Sequence, residues 1–181
     1  MKNAEIALLG LLAEQPSHGY QIEQLIEERG MRDWTDIGFS SIYYLLNKLE
    51  KAGLIQSSLK QPQGQGPARK QYSLLPSGYS ALREAVLESL SQPYRCYPPL
   101  QLGLANLPML EPGEAAAALH AHQQALEAQL TELQRTRLNQ QPLPYHVEKM
   151  FEHSQTLIEA ELDWLRKVHS ELEESDEKNR F

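Results

Sequence analysis

The sequence predicts a mainly α-helical protein in two parts: a small domain of three short helices, a β-hairpin and a fourth helix, then a pair of long helices. Three observations carry the prediction. Apolar residues recur at spacings of three and four through most of the chain. One stretch, residues 54–75, loses that period around a Pro- and Gly-rich turn. The second half repeats apolar residues every seven.

Residues 3–14 place Ile6, Leu9, Leu12 and Ala13 at helical spacing, and Gln15-Pro16-Ser17 ends that segment in a turn. Ser17 is expected to cap a second helix carrying Tyr20, Ile22, Leu25 and Ile26, which Gly30 stops. After a loop over 31–39, Ser40 or Ser41 is expected to cap a third helix. Its Ile42, Leu45, Leu46 and Leu49 form one stripe, and Gly53 terminates it. Leu54 to Lys60 and Arg69 to Leu75 then read as two strands flanking Gln61-Pro62-Gln63-Gly64-Gln65-Gly66-Pro67. Pro76, at a first helical position, opens a fourth helix through Tyr79, Leu82, Val86 and Leu90. This order, three helices, a hairpin and a helix, is that of a winged helix-turn-helix domain over residues 1–92.

Prolines at 93, 98, 99, 108 and 112 mark residues 93–112 as an irregular or short-helical connector. Residues 113–138 then form a long helix with Leu119, Leu126 and Leu133 seven apart and Leu130 near the same face. After a turn at 139–144, the last helix repeats Phe151, Ile158, Leu165 and Leu172 before a polar tail from Glu173. The resulting hairpin, in a C-terminal part over 113–181, carries apolar stripes that need more cover than each helix gives the other. A second copy of the chain is the expected cover, which makes these eight residues candidates for a coiled-coil-like homodimer contact.

Composition limits the function classes. With 181 residues, 41% apolar and 23% charged, the chain is expected to fold around packed cores. No apolar run reaches the ~20 residues of a bilayer span, and Lys2 and Glu5 charge the first residues, so no membrane partner and a cytoplasmic location are expected. Cys96 is the single cysteine, which rules out an intramolecular disulfide and a zinc site built on several cysteines. The net charge of −7 is unevenly spread: residues 1–92 hold 9 basic and 10 acidic groups, residues 93–181 hold 8 and 14. Between residues 40 and 75, Lys48, Lys51, Lys60, Arg69 and Lys70 face Glu50 alone, a cationic zone inside an acidic protein.

At 100° per residue, the third helix turns Ser40, Tyr44, Asn47 and Lys51 away from its apolar stripe and leaves Ser41, Tyr43 and Lys48 on the flanks. Such a face suits a major groove. Tyr44 and Asn47 are the base-reading candidates, Tyr43 and Lys48 are candidate phosphate contacts, and the small hydroxyls of Ser40 and Ser41 permit close approach. By themselves Lys48 and Lys51 would read as solvated surface lysines. The hairpin adds Lys60, Arg69 and Lys70 where a wing would meet adjacent backbone, so two separate elements aim cations one way and double-stranded DNA is the expected partner.

Leu8-Leu9-Gly10-Leu11-Leu12, Ser17-His18-Gly19-Tyr20, Ser41-Ile42-Tyr43, Leu49 to Ile55 and Gly66 to Tyr72 resemble the successive signatures of PadR-type transcriptional regulators. The resemblance covers about the first ninety residues, and Glu159 to Leu165 is similar in pattern to that family's dimerising region. It implies a winged-helix homodimer that binds operator DNA at an inverted repeat, usually as a repressor, with some members released by small phenolic or drug-like molecules. Trp164 and Phe151, with Trp34 and Tyr20, are then candidates to line a site for a small aromatic effector; the competing reading is dimer core. The sequence departs from the family at Tyr44, Asn47 and Leu75, where Pro, a basic residue and a capping Thr are common.

No enzyme and no cofactor are expected, because no paired carboxylates, phosphate loop or triad spacing stands out. His18 and Gly19 read as fold residues, and His120 and His122, two apart on a helix, point away from each other and cannot share a metal. Cys96 reads as an inert thiol. The alternative from another class is a winged-helix adaptor that binds protein and not DNA.

Overall fold

The computed structural model describes residues 1–35, 37, 38, 41–61, 68–93 and 97–178, and the side chains of these apart from 33, 112 and 173–178. The chain divides into two compact units, Met1–Cys96 and Tyr97–Phe181.

In the first unit, α1 (Asn3–Glu14) buries a wider face than its periodicity suggested. Leu8, Leu9, Leu11 and Leu12 are all enclosed, whereas Ile6 and Ala13 are only half-buried, because α1 is packed from several sides by α3 (Ile42–Lys51), α4 (Pro76–Ser91) and β3 (Arg69–Leu74). The second helix, α2 (Gly19–Glu28), turns Ile22 and Ile26 inward. Ser17 does not cap it. The cap position is His18, whose backbone N–H donates to Gln21 Oε1 at 2.9 Å, and Ser17 instead lies buried in β1 (Ser17–His18). The helix ends where Arg29 N–H donates to Leu25 O and Gly30 adopts φ 58°, a left-handed conformation that glycine enters without a Cβ clash. A single 3-10 turn, Met31–Asp33, follows.

Ser41 precedes α3 but is already helical at φ −89° and ψ −20°, and its hydroxyl donates to Gly38 O, so it is not the expected side-chain cap. Ile42, Leu45, Leu46 and Leu49 form the buried stripe as expected. At the other end Leu54 N–H reaches back to Leu49 O at 3.1 Å around Gly53, whose φ of 69° permits the reversal. The hairpin comprises β2 (Ile55–Lys60) and β3, antiparallel from Ile55 opposite Leu74 to Lys60 opposite Arg69. A strand that the periodicity did not show completes the sheet: β1 pairs with β3, Ser17 opposite Tyr72, giving the order β1-β3-β2. Pro76 opens α4 without a side-chain cap at Leu75, and Ser77 Oγ donates to Gly53 O at 2.6 Å instead of capping. Leu8, Leu9, Leu12, Ile22, Ile26, Ile42, Leu46 and Ile55 meet in one core, each contributing about 1.5–3 kcal/mol.

In the second unit the proline-rich stretch contains α5 (Pro99–Ala105) and a 3-10 turn, Leu107–Met109. The long helices α6 (Pro112–Asn139) and α7 (Tyr145–Lys178) pack on each other as a hairpin. The helix of α7 runs through the segment expected as a polar tail, since Glu and Lys are strong helix formers whether or not they face a core. Leu119, Ile158 and Leu165 are buried inside the single chain together with Ala115 and Leu162, while Leu126, Leu130, Leu133, Phe151 and Leu172 are half-buried. Arg137 ties the hairpin's open turn by its ion pair with Glu148.

Candidate nucleic-acid interface

The apolar stripe of α3 fixes what its other side presents. Tyr44 is 68% exposed and, with Asn47, Lys48 and Lys51, lines a shallow depression on the outer face of the helix. Ser40 lies outside the described residues. Tyr43, on the flank, rests its ring over Gly19: a Cβ at residue 19 would come within 2.5 Å of Tyr43 Cε1, so the ring takes this position because residue 19 has no side chain. Gly19 thus fixes where the Tyr43 ring lies, more than how near the two helices come.

The hairpin meets the same flank. Tyr43 of α3, His18, Gly19 and Tyr20 at the start of α2, and Arg69, Lys70 and Tyr72 of β3 line one open pocket of about 480 Å³. Its walls are mutually braced. The Arg69 guanidinium lies over the Tyr20 ring at 5.2 Å, Tyr20 stacks on His18 with centroids 5.6 Å apart, and His18 Nδ1 is 2.8 Å from Lys70 O. A carbonyl only accepts, so Nδ1 carries the proton and donates. Tyr20, a sequence candidate for an effector site, and His18, a sequence candidate for a fold residue, both lie beside Arg69 and Lys70 of the wing. The signal available was their position at a helix start, but nothing in the chain's pattern pointed across 52 residues to Lys70.

Each predicted cation has its own circumstance. Lys60 and Arg69 stand directly opposite each other on the hairpin, both exposed. Like charges in that relation are destabilising, which favours an anion that relieves them. Lys51 and Lys60 have no acidic partner among the described residues. Lys70 Nζ is 3.6 Å from Glu50 Oε2, and Glu50 Oε1 also accepts from Ser57 Oγ at 2.5 Å. The Ser57 hydroxyl and then Lys70 hold the Glu50 carboxyl below its ordinary value. Lys48, expected as a free phosphate contact, is ion-paired with Glu5 of α1.

In the second unit, Met150, Leu157 and Trp164 recur every seven residues on α7 and remain exposed, a stripe separate from the predicted one. Phe151 and Trp164 lie about 20 Å apart along α7 and on faces about 140° apart, so one chain does not bring them together. His120 meets His169 edge-on at 6.1 Å, and His122 lies 3.3 Å from Glu161. Among the described residues no group of three or more His, Cys, Asp or Glu side chains is placed to hold a metal, and no helix is long and apolar enough to cross a membrane.

Residues 8–84 match the model of the transcriptional regulator PadR-like family. Among solved structures, Bacillus subtilis PadR in complex with operator DNA is 22% identical, with a TM-score of 0.77, covering 93% of this chain and 98% of that one. The same protein in complex with p-coumaric acid is 21% identical, with a TM-score of 0.79 over 95% of this chain and 99% of that one. A PadR-like transcriptional regulator from Bacillus cereus is 18% identical, with a TM-score of 0.67 over 94% and 95%. At these identities the likeness is one of fold. No curated protein matches the sequence.

Proposed function

We propose that this chain, whose residues 8–84 match the model of the transcriptional regulator PadR-like family, is a sequence-specific DNA-binding repressor that acts in the cytoplasm as a homodimer on an inverted-repeat operator. The observation that carries the reading is the shared pocket: a flank residue of α3, Tyr43, and two wing cations, Arg69 and Lys70, line the same space, so helix and hairpin address one surface. In this reading α3 is the recognition helix. Tyr44 and Asn47 read base edges, while Lys51, Lys60, Arg69 and Lys70 meet phosphates on either side. The operator-DNA complex of the Bacillus subtilis protein supports that use of the fold.

The dimer follows from α7. Met150, Leu157 and Trp164 form an apolar stripe that stays exposed beside α6, and a second copy covers it. Two recognition helices then address successive major grooves about 34 Å apart. A small aromatic acid that shifts one protomer against the other would release the operator; the p-coumaric acid complex of the Bacillus subtilis relative supports this class of effector.

The test is binding of the full chain to the duplex upstream of its own coding sequence over a range of salt concentrations, followed by footprinting. Salt-dependent binding with protection centred about one helical turn apart is expected. Absence of salt-dependent binding, with another protein co-purifying, would replace this reading with the adaptor. For the dimer, Leu157→Glu with Trp164→Glu is expected to shift the sedimentation profile to monomer.

A further inference from the structure

Among the described residues of the first unit Glu5 is the one buried charged side chain, 6% exposed on α1, and it is bound to the helix whose outer face reads DNA in the function proposed above. Both of its carboxylate oxygens are engaged. Oε2 accepts the Lys2 backbone N–H at 3.1 Å, and Oε1 accepts from Lys48 Nζ. The two partners are unequally placed: the Lys48 side chain is 50% exposed and Glu5's is 8%.

We propose that Glu5 is an internal stand-in for phosphate, holding Lys48 of the recognition helix away from the duplex and thereby setting how much of this surface's charge reaches DNA. If Lys48 left for a DNA phosphate, it would exchange one oxyanion for another in water, a near-even trade for an exposed lysine. Glu5 would lose its ion partner and keep a single neutral donor, the Lys2 backbone N–H, so the cost of parting falls on Glu5 and not on Lys48. Even where one Lys48 proton also touches phosphate, the pair presents no net charge to a polyanion. The Glu5 carboxyl is held below its ordinary value and the Lys48 ammonium above, each chiefly by the hydrogen bond to the other. Lys70 shows the contrast: its separation from Glu50 is 3.6 Å, Glu50 is more exposed and keeps Ser57 as a donor, so Lys70 is free to turn to a phosphate. On this reading Lys48 anchors α3 to α1, and the salt-sensitive work falls to Lys51, Lys60, Arg69 and Lys70.

The proposal rests on the DNA reading, and the experiment separates the two. The probe is a random-sequence duplex, bound by the full chain across a salt series and followed by fluorescence anisotropy. Wild type without salt-dependent binding would sink the DNA reading and this proposal with it. Given such binding, Glu5→Gln, which keeps an acceptor for Lys2, is expected to steepen the salt slope by about 0.9 and to raise affinity roughly three- to eightfold near 0.1 M salt. Lys48→Gln, which keeps a donor toward Glu5, is expected to leave the slope unchanged, and the double variant to return the slope to the wild-type value. A wild-type slope in a folded Glu5→Gln variant, or a slope flattened by about 0.9 in Lys48→Gln, overturns the proposal. Should Glu5→Gln fail to fold by circular dichroism, Lys48→Gln decides alone.

Discussion

Replacing Gly78 with alanine sets two physical expectations against each other. Gly78 lies in the first turns of α4, where helix propensity alone predicts a gain of about 1 kcal/mol from alanine. The packing predicts the opposite. A Cβ there would sit 2.1 Å from Leu54 O and 2.7 Å from Leu74 Cδ1, so the start of α4 must lift from the turn leading into β2. That movement disrupts the Leu75 N–H bond to Leu54 O, at 3.0 Å, and the Ser77 Oγ bond to Gly53 O. Each bond is worth about 1 kcal/mol. Residual crowding adds about 1–3 kcal/mol. Against the propensity gain, the expected net loss is about 2–4 kcal/mol, or a fall of roughly 10–25 °C in the melting temperature of a unit this size. Thermal unfolding followed by circular dichroism measures it directly. A Gly78→Ala protein that melts at or above the wild-type temperature would refute the close approach of α4 to Leu54.

Gly19→Ala presents a gentler conflict, because the Tyr43 ring it meets is half-exposed and can turn aside; melting should shift little, while affinity for duplex DNA falls several-fold as the pocket wall is displaced. Acid titration tests Glu5: its carboxyl is held below 4.5 in the folded chain, so its stabilising contribution is complete at neutral pH and is lost as pH falls through and below about 4.5. Urea denaturation at pH 7 and pH 3 should therefore show a smaller acid-induced loss in Glu5→Gln than in wild type. Arg69→Ala is expected to flatten the salt slope of DNA binding by about 0.9, whereas Asn47→Ala leaves the slope and changes which sequences are preferred, as competition with operator variants would show.

Much of this architecture was legible because single-period patterns encode it. Ile42, Leu45, Leu46 and Leu49 mark the inner face of α3 and so name Tyr44, Asn47 and Lys51 on the outer one. The hairpin is bounded by residues that cannot continue a helix. What escaped the pattern depends on distant partners or on elements too short to have a period. β1 is two residues long, and Ser17 resembles a cap by type although His18 occupies the cap position. Glu5 reads as an ordinary first-turn acid, because the lysine that holds it is 43 residues away. On α7, two seven-residue repeats coexist, and composition does not say which one α6 covers; packing buries Ile158 and Leu165 and leaves Leu157 and Trp164 exposed.

Glu50 of α3 accepts from Ser57 on β2, a hold on the wing that remains when Lys70 turns to a phosphate. One carboxylate thus works as the rivet of a calliper whose two jaws are the helix and the wing. In the function proposed above, jaws joined in this way resist adjusting to a groove that is too wide or too narrow, which leaves more of the adjustment to the duplex. If the surface binds DNA as proposed, steps that deform easily are expected to be favoured even where no side chain touches a base.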